Sequence, residues 1–176
     1  MIIEKCSLEL LNKDSLKKIL LLRNQKEVRE ASFNTNIIQE KEHIEWYNKK
    51  IKKPFFNHYV LTHNKKIIGL GYGDKFSKKN KSCLWGFYTD LSIKSEIKYG
   101  SINKYLLIEK LFENKNIFQI ECQVKKGFEW IRDWHIKWGH QQIDFDNKLN
   151  CYNLVLKEKI WSNIKTKIYE KGFKRS

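Results

Sequence analysis

Two side chains in the second half of the sequence have the chemistry of proton transfer. The first is His135, because an imidazole with a pKa of about 6.5 can protonate a thiolate whose conjugate acid has a pKa of about 8.5. A carboxylate such as Glu121, in a β-rich stretch, can accept a proton. Structural roles remain open for both, because Glu121 also fits a surface charge and His135 fits the apolar face of a helix. That face has helical spacing and contains Phe128, Ile131 and Trp138.

Anion binding is the second chemistry that the residue types allow. Gly100 stands between a polar loop and a long amphipathic stretch, in the segment KSEIKYGSI (94–102). The N–H groups at the start of a helix bind phosphate well, and a glycine leaves that backbone accessible. An ordinary loop-to-helix junction with solvated lysines fits the same segment.

Length and composition limit the protein classes. A chain of 176 residues with 41% hydrophobic and 14% aromatic residues fits one packed domain. The longest apolar runs are far shorter than the ~20 residues that span a bilayer, and no apolar leader follows Met1. We therefore expect a cytoplasmic protein without membrane insertion. The cysteines are far apart and form no C-x2-C pair, which favours reduced thiols over a disulfide frame or a zinc site: Cys6, Cys83, Cys122 and Cys151.

The net charge of +15 raises the alternative of nucleic-acid binding. Only four of the 35 basic residues are arginine, however, and readers of bases and phosphates usually exploit the planar arginine fork. We expect a lysine-coated surface with no nucleic-acid partner. Part of the charge is suited to steering anionic, nucleotide-linked ligands.

The hydrophobic periodicity predicts the elements that position these residues. Strands are predicted at 1–11, 58–62, 66–73, 82–90, 117–124, 140–145 and 151–156. Helices are predicted at 14–22, with Asp14 as the cap, and at 25–33, 39–51, 100–114, 127–138 and 157–169. The order β-α-α-α-β-β-β-α-β-α-β-β predicts a mixed, mostly antiparallel α/β sheet flanked by helices, rather than an alternating βαβ series.

A motif near the N-terminus carries a family resemblance. Leu22-Arg23-Asn24 with Val28-Arg29 forms L-R-N-x3-V-R, and Glu42-His43 with Trp46 forms E-H-x2-W. This pattern resembles the Gcn5-related N-acetyltransferases (GNATs), in particular those acting on nucleotide-linked 4-amino sugars and their relatives that acetylate protein N-termini. The predicted element order is also that of GNAT folds. The resemblance covers about residues 1–157 and leaves 158–176 as a C-terminal helical extension.

The resemblance implies acetyl-CoA as cosubstrate and no metal. It implies a pyrophosphate cradle in which Gly100 fits the last glycine and Lys98 stands where an earlier glycine is usual. Backbone N–H groups of the strand that includes Tyr88 would bind the pantetheine arm and the thioester oxygen. The implied cofactor-binding residues are Phe87, Tyr88, Thr89, Lys94, Lys98, Tyr99, Gly100, Ser101 and Ile102.

The resemblance also suggests catalytic and acceptor-binding residues. His135 occupies the position of a tyrosine that protonates the leaving thiolate, and Glu121 is a candidate base. An asparagine usual near the start of that helix is replaced by Phe128, and Gly139 is followed by His140 instead of phenylalanine. The implied acceptor-binding residues are Arg23, Arg29, Phe33, Asn34, Phe56 and Tyr72, whereas His43 and Trp46 fit helix packing.

These observations predict an N-acetyltransferase that moves acetyl directly to the amine of a nucleotide-linked 4-amino-deoxysugar. Such an amine, with a pKa nearer 7.7–8.0 than that of lysine, is partly neutral at pH 7 and needs no strong base. Acetylation of a protein N-terminus or another small amine is the enzymatic alternative. The non-enzymatic alternative is a GNAT-like binding protein that has lost turnover. Either protein could form a homodimer.

Overall fold

The computed structural model describes residues 2–94 and 96–173; the sequence-based assignments at Met1, Ser95 and 174–176 lie outside them. One seven-stranded sheet has the order β1-β2-β3-β4-β5-β7-β6, and all neighbouring strands are antiparallel except β4 and β5. The strands are β1 (Cys6–Leu10), β2 (Asn57–His63), β3 (Lys66–Ser77), β4 (Ser82–Thr89), β5 (Gln119–Lys125), β6 (Gln141–Asp146) and β7 (Cys151–Lys157). The helices are α1 (Leu16–Arg23), α2 (Lys26–Ala31), α3 (Glu40–Lys50), α4 (Tyr99–Phe112), α5 (Glu129–Lys137) and α6 (Glu158–Phe173).

The predicted order of elements and the mixed sheet are confirmed, with differences at the N-terminus. Residues Ile3–Lys5 form a 3-10 turn, so the first strand begins only at Cys6. The cap of the first helical segment is Asn12 and not Asp14. The Asn12 side chain accepts a hydrogen bond from the Ser15 N–H at 3.1 Å, at the start of a 3-10 turn that leads into α1.

The helices cover the sheet in two layers. On one face, α1 and α3 pack their apolar side chains on β2 and β3: Leu16, Ile19, Leu22 and Tyr47 against Val60 and Leu70. On the other face, α4 and α6 cover β4, β5 and β7: Leu107, Ile108, Leu111 and Trp161 against Trp85, Ile120 and Leu154. Burial of these side chains, at ~25 cal/mol per Å² of apolar area, is the main force that holds the layers together. Within the described residues, no helix is both long and apolar enough to cross a membrane.

Alternate glycines on β3 let α4 lie unusually close to the sheet. A Cβ atom on Gly71 would be 2.8 Å from a Leu107 methyl group, and one on Gly73 would be 2.6 Å from a Leu111 methyl group. Real Cβ atoms essentially never approach so closely, so side chains at these positions would push the helix outward. The glycines therefore fix α4, whose first turn borders the region between β4 and β5.

Candidate functional site

A cleft opens where the two parallel strands of the sheet part. β4 pairs with β5 only over Ser82–Leu84 and Gln119–Glu121. Beyond that point β4 stays with β3 and β5 stays with β7, so the second halves of β4 and β5 have free inner edges. The cleft between them has a volume of about 1250 Å³. This exceeds the ~300–1,000 Å³ of a typical site for one small ligand, and it has room for two reactants.

Phe87 and Thr89 present their backbone N–H groups to this cleft. The Asp90 N–H donates to the Ile68 carbonyl at 2.7 Å, which shows that the backbone N–H of Asp90 points towards β3. Backbone N–H groups alternate in direction along an antiparallel strand. The N–H of Tyr88 therefore also points towards β3, and those of Phe87 and Thr89 point towards the free edge. Of the three residues predicted to bind cofactor through their backbone, Tyr88 instead contributes its side chain to the cleft lining.

The first turn of α4 forms one mouth of the cleft. Four of the predicted cradle residues line it: Lys98, Tyr99, Gly100 and Ser101. Lys98 caps the helix with a φ of −80°, a conformation open to any L-residue, so the position does not need a glycine. Two predicted residues are not at the cleft. Lys94 is exposed outside it, and Ile102 is buried in the core beside Leu61.

Residues from both faces of the sheet line the cleft. Gly100, Trp134 and His135 line it on the side of α4 and α5. The Trp134 ring lies 3.8 Å from the position of a Cβ atom on Gly100. Four large apolar side chains of the lining are exposed to solvent, as is typical of a surface that a ligand covers: Phe33, Leu91, Ile93 and Trp130.

On the side of α1, the lining includes Arg23, Phe33, Asn34 and Tyr72, all predicted to bind the acceptor. Two other predicted acceptor residues lie elsewhere. Arg29 donates to the backbone carbonyls of Asn24 and Thr35, and Phe56 is stacked on His58 at 4.9 Å.

Glu121 also lies outside the cleft. It lines a separate pocket of about 260 Å³ and accepts a hydrogen bond from Gln119 at 3.1 Å. Glu121 belongs to the last residue pair that joins β4 and β5. It therefore lies in the part of β5 that is still paired with β4, before the cleft begins.

The N-terminal motif shapes the loop that carries Phe33 and Asn34. The Asn24 amide donates to the Ile38 carbonyl and accepts from the Ile38 N–H, both at 2.9 Å. Arg29 holds the same loop through Thr35 at 2.7 Å. His43 is buried and stacks on Trp46 at 5.1 Å, and neither residue lines the cleft.

The sequence matches no protein-family model, and no curated protein is significantly similar to it. Solved structures, in contrast, match over nearly the whole chain. The spermidine N-acetyltransferase of Vibrio cholerae, solved with CoA and spermine, has a TM-score of 0.80 at 16% identity, covering 91% of this chain and 99% of its own. For apo FdhC, a nucleotide-linked sugar GNAT, the TM-score is 0.75 at 19% identity, with 93% and 92% covered. AAC(6')-Ib, solved with ribostamycin and coenzyme A, gives 0.77 at 12% identity, with 90% and 96% covered.

The fold is that of the Gcn5-related N-acetyltransferases. The parting of β4 and β5 and the α4 N-terminus beside it are thus elements of a GNAT fold, as the sequence predicts. This likeness concerns the fold, because none of the three structures exceeds 19% identity.

A cluster of buried polar groups behind the GNAT cleft could not be recognised from local sequence. Lys104, His135 and His140 are at most 5% exposed, and each has a side-chain nitrogen without a hydrogen-bond partner within the described part of the chain. Trp85, which neighbours both histidines, has a buried indole N–H that is also unpaired within the described residues. The one available signal was in α4, where Asn103 and Lys104 interrupt the apolar stripe of Ile102, Leu107, Ile108 and Leu111.

Burial determines the protonation state of this cluster. It lowers the pKa of His135 well below the ordinary value, and the Lys104 and His140 charges lower it further. Burial also lowers the pKa of His140 to about 3 and that of Lys104 well below 10.5. The rings of Trp134 and Trp138 lie 4.3 and 4.8 Å from the Lys104 Nζ and favour the ammonium form. Cation–π contacts contribute only ~0.5–2 kcal/mol, less than the several kcal/mol of desolvation, so burial has the larger effect on the Lys104 pKa.

Sulfur and nitrogen atoms of the cluster also have the composition of a zinc ligand set. Ligand atoms of Cys122, His135 and His140 lie within 4.8 Å of one another. Without a metal, burial raises the pKa of the Cys122 thiol to about 12, so zinc binding there would have to displace the thiol proton.

Replacement of Lys104 by methionine is expected to stabilise the protein by about 1–3 kcal/mol. The change removes a buried amine that has no hydrogen-bond partner and keeps most of the side-chain volume. Urea denaturation at pH ~7 measures the difference. Lys110→Met, on the exposed side of the same helix, is the matched control and should change stability by less than about 0.5 kcal/mol. A loss of stability in Lys104→Met would show that the amine is charged and satisfied.

Proposed function

We propose that this protein is an acetyl-CoA-dependent N-acetyltransferase that acts on the amine of a nucleotide-linked 4-amino-deoxysugar. The observation that carries the proposal is the juxtaposition of two donor groups at one cleft. Free N–H groups of Phe87 and Thr89 line its wall, and the first turn of α4 lies at its mouth. The first suits a thioester carbonyl and the second suits a pyrophosphate. CoA in the spermidine N-acetyltransferase and AAC(6')-Ib structures agrees with this assignment.

Direct transfer of the acetyl group requires the chain to stabilise the thioester oxygen, to accept a proton from the amine and to return a proton to the sulfur. The N–H groups of Phe87 and Thr89 donate to the thioester oxygen as the neutral amine attacks and negative charge develops there; such a donor typically contributes ~10²- to 10³-fold. His135, neutral in the empty cleft, accepts the proton that the new C–N bond releases from nitrogen. The resulting imidazolium returns this proton to the sulfur as the C–S bond breaks, so no proton is gained or lost overall.

The Arg23 guanidinium on the acceptor side suits an anionic group of the acceptor. Spermine and ribostamycin, present in two of the matching structures, carry several amines and need carboxylates around them. The acids of the lining are Glu27, Glu30 and Asp90. Asp90 is buried and already bonded to Lys18 at 2.8 Å and to Gln25 at 2.7 Å, whereas Glu27 and Glu30 are exposed. Arg23 supplies positive charge, and the whole chain carries +15. FdhC, a nucleotide-linked sugar GNAT, is the matching structure whose acceptor agrees with this charge.

Other parts of the assignment stay proposals of the same kind. All four cysteines are free and buried, as suits a reducing compartment such as the cytoplasm. A protein N-terminus or a small amine remains the alternative acceptor, because the Arg23 guanidinium also suits a carboxylate. Homodimer formation rests on the sequence-based expectation alone.

Gly100→Ala is expected to weaken CoA binding about tenfold without loss of stability. An added Cβ would lie 3.8 Å from Trp134, an ordinary contact, so the empty fold tolerates it. The methyl group would instead stand at the start of α4, where phosphate must approach the backbone. Calorimetric titration with acetyl-CoA and with CoA measures the effect, which corresponds to ~1.4 kcal/mol.

The control is Gly172→Ala, in α6, where a Cβ meets nothing within 4 Å. This variant should bind CoA as the wild type does. Thiol release is then measured with a UDP-linked 4-amino sugar, spermidine and a short peptide as acceptors. Absence of CoA binding to the wild-type protein would contradict the enzymatic assignment and favour a GNAT-like binding protein.

A further inference from the structure

Arg23 carries a charge that no carboxylate of the described residues pairs with. It is the last residue of α1, and its Nη2 donates to the Asn34 carbonyl at 2.7 Å. Its Nη1 is buried and has no hydrogen-bond partner, and no carboxylate forms an ion pair with it within residues 2–94 and 96–173. A guanidinium stays charged at any working pH, and a buried unpaired donor is costly. The side chain lines the cleft, so a ligand there can supply the missing acceptor.

The Tyr72 hydroxyl is held at the same wall by an aromatic stack. The Tyr72 ring lies parallel to that of His58 at 5.5 Å, and His58 in turn lies on Phe56 at 4.9 Å. This stack directs the hydroxyl onto β4 above Gly86, where a Cβ atom would be only 2.5 Å from the oxygen. Gly86 is therefore required for the tyrosine to reach the cleft.

Tyr88 completes the wall two residues further along β4. Its side chain also lines the cleft, and no group of the described chain is hydrogen-bonded to either tyrosine hydroxyl. Both tyrosines pack against the core cluster that contains Leu22, the residue before Arg23 in α1. Burial raises the pKa of both tyrosines. Both hydroxyls thus remain O–H donors beside the guanidinium.

We propose that Arg23, Tyr72 and Tyr88 form an anion-binding subsite that takes a phosphate or carboxylate group of the amine acceptor. The inference rests on the proposed N-acetyltransferase function and specifies which acceptors it selects. Guanidinium N–H groups and hydroxyls bind oxyanions through short, charge-assisted hydrogen bonds. Acceptors that lack an anion leave the Nη1 donor unpaired and are bound more weakly, whereas polyamines meet a positive charge.

The experiment compares acceptors in pairs that differ chiefly in the anion. One pair is the 1-phosphate of a 4-amino sugar and the methyl glycoside of the same amino sugar. The other is a dipeptide with a free C-terminal carboxylate and its C-terminal amide. For the wild type we expect kcat/KM to be at least about tenfold higher for the anionic member of one pair. The pair that shows the difference identifies the anion as phosphate or carboxylate.

Arg23→Gln is expected to abolish this preference and to leave the affinity for acetyl-CoA unchanged. Tyr72→Phe and Tyr88→Phe, which remove only a hydroxyl, should each reduce the preference severalfold. Arg132→Gln is the control for charge, because Arg132 is paired with Asp133 and lies outside the cleft lining. It should keep the full preference, and thermal unfolding confirms that each variant is folded.

Binding of UDP and of the dipeptide, measured by calorimetry without CoA, separates this inference from the enzymatic one. Loss of the stronger of these affinities in Arg23→Gln supports the subsite even if no acetyl transfer is detected. Equal kcat/KM values within both acceptor pairs would overturn the proposal, as would wild-type affinities in Arg23→Gln.

Discussion

Acidification from pH ~7 to ~5 is expected to lower the free energy of unfolding by about 4 kcal/mol or more. Four of the five histidines are buried and at most 6% exposed: His43, His58, His135 and His140. Burial lowers the pKa of all four, to about 4 for His58 and about 3 for His140. The fold therefore holds these imidazoles in the neutral form.

The direction of the effect follows from proton uptake by the two states. In the unfolded chain each histidine has a pKa of about 6.5, so below that pH the unfolded state binds protons that the folded state excludes. Stability is complete above pH ~6.5 and is lost as the pH falls towards the folded pKa values. Each histidine contributes roughly 1.4 kcal/mol per pH unit, so His58 and His140 together account for about 4 kcal/mol at pH ~5.

Urea denaturation at several pH values between about 7.5 and 4.5 measures this dependence. His140→Phe removes one of the four groups and should reduce the slope below pH ~6 by about one proton. Ile117→Val, a change in the core away from these histidines, should cost about 1 kcal/mol at every pH and leave the slope unaltered. A wild-type protein with constant stability between pH ~7 and ~5 would show that the imidazoles are not held neutral.

Local patterns in the sequence were sufficient for the elements and for part of the cleft. Gly100 and the strand from Phe87 to Thr89 were assigned through the family resemblance, on a loop-to-helix glycine and an aromatic β-run, which are local signals. The side that each backbone group faces was not recognisable. It depends on the register of β3 with β4, where Leu70 pairs with Tyr88, and register is a long-range property.

The predicted site did not include residues that are distant in sequence and become neighbours only after folding. Lys104 and His140 are 36 positions apart, and they become neighbours only when α4 and the start of β6 pack together. Glu121 shows the opposite error. Its residue type suited a base, but it lies before the point at which β4 and β5 separate. Residue type therefore predicted candidate chemistry, while the position of the strand separation decided which candidates line the cleft.

His135→Phe is expected to reduce kcat at least a hundredfold, because proton transfer by a positioned side chain contributes ~10²- to 10⁴-fold. His135 lines the cleft and lies 5.4 Å from Trp85, ring centre to ring centre. A phenyl ring fits the same space, so stability should not suffer. It should even rise slightly, because the buried and unpaired Nδ1 is removed.

The matched control is His140→Phe. His140 is equally buried and its ring centre lies 4.8 Å from that of His135, yet it does not line the cleft. This variant is expected to keep most of the activity. Equal losses of kcat in the two variants would show that the histidines act through packing and that His135 transfers no proton.

The pH dependence of the wild-type rate shows whether His135 begins the reaction as neutral imidazole, which first accepts a proton, or as imidazolium, which only donates one. An enzyme that requires the imidazolium form would lose kcat/KM as the pH rises above the pKa of His135, which burial places well below 6.5. A histidine that begins neutral places no such limit. We therefore expect kcat/KM to rise from pH ~6 until the acceptor amine is deprotonated, near pH ~8, and then to level off. A decline between pH ~6 and ~8 would indicate that His135 must be protonated before the amine attacks.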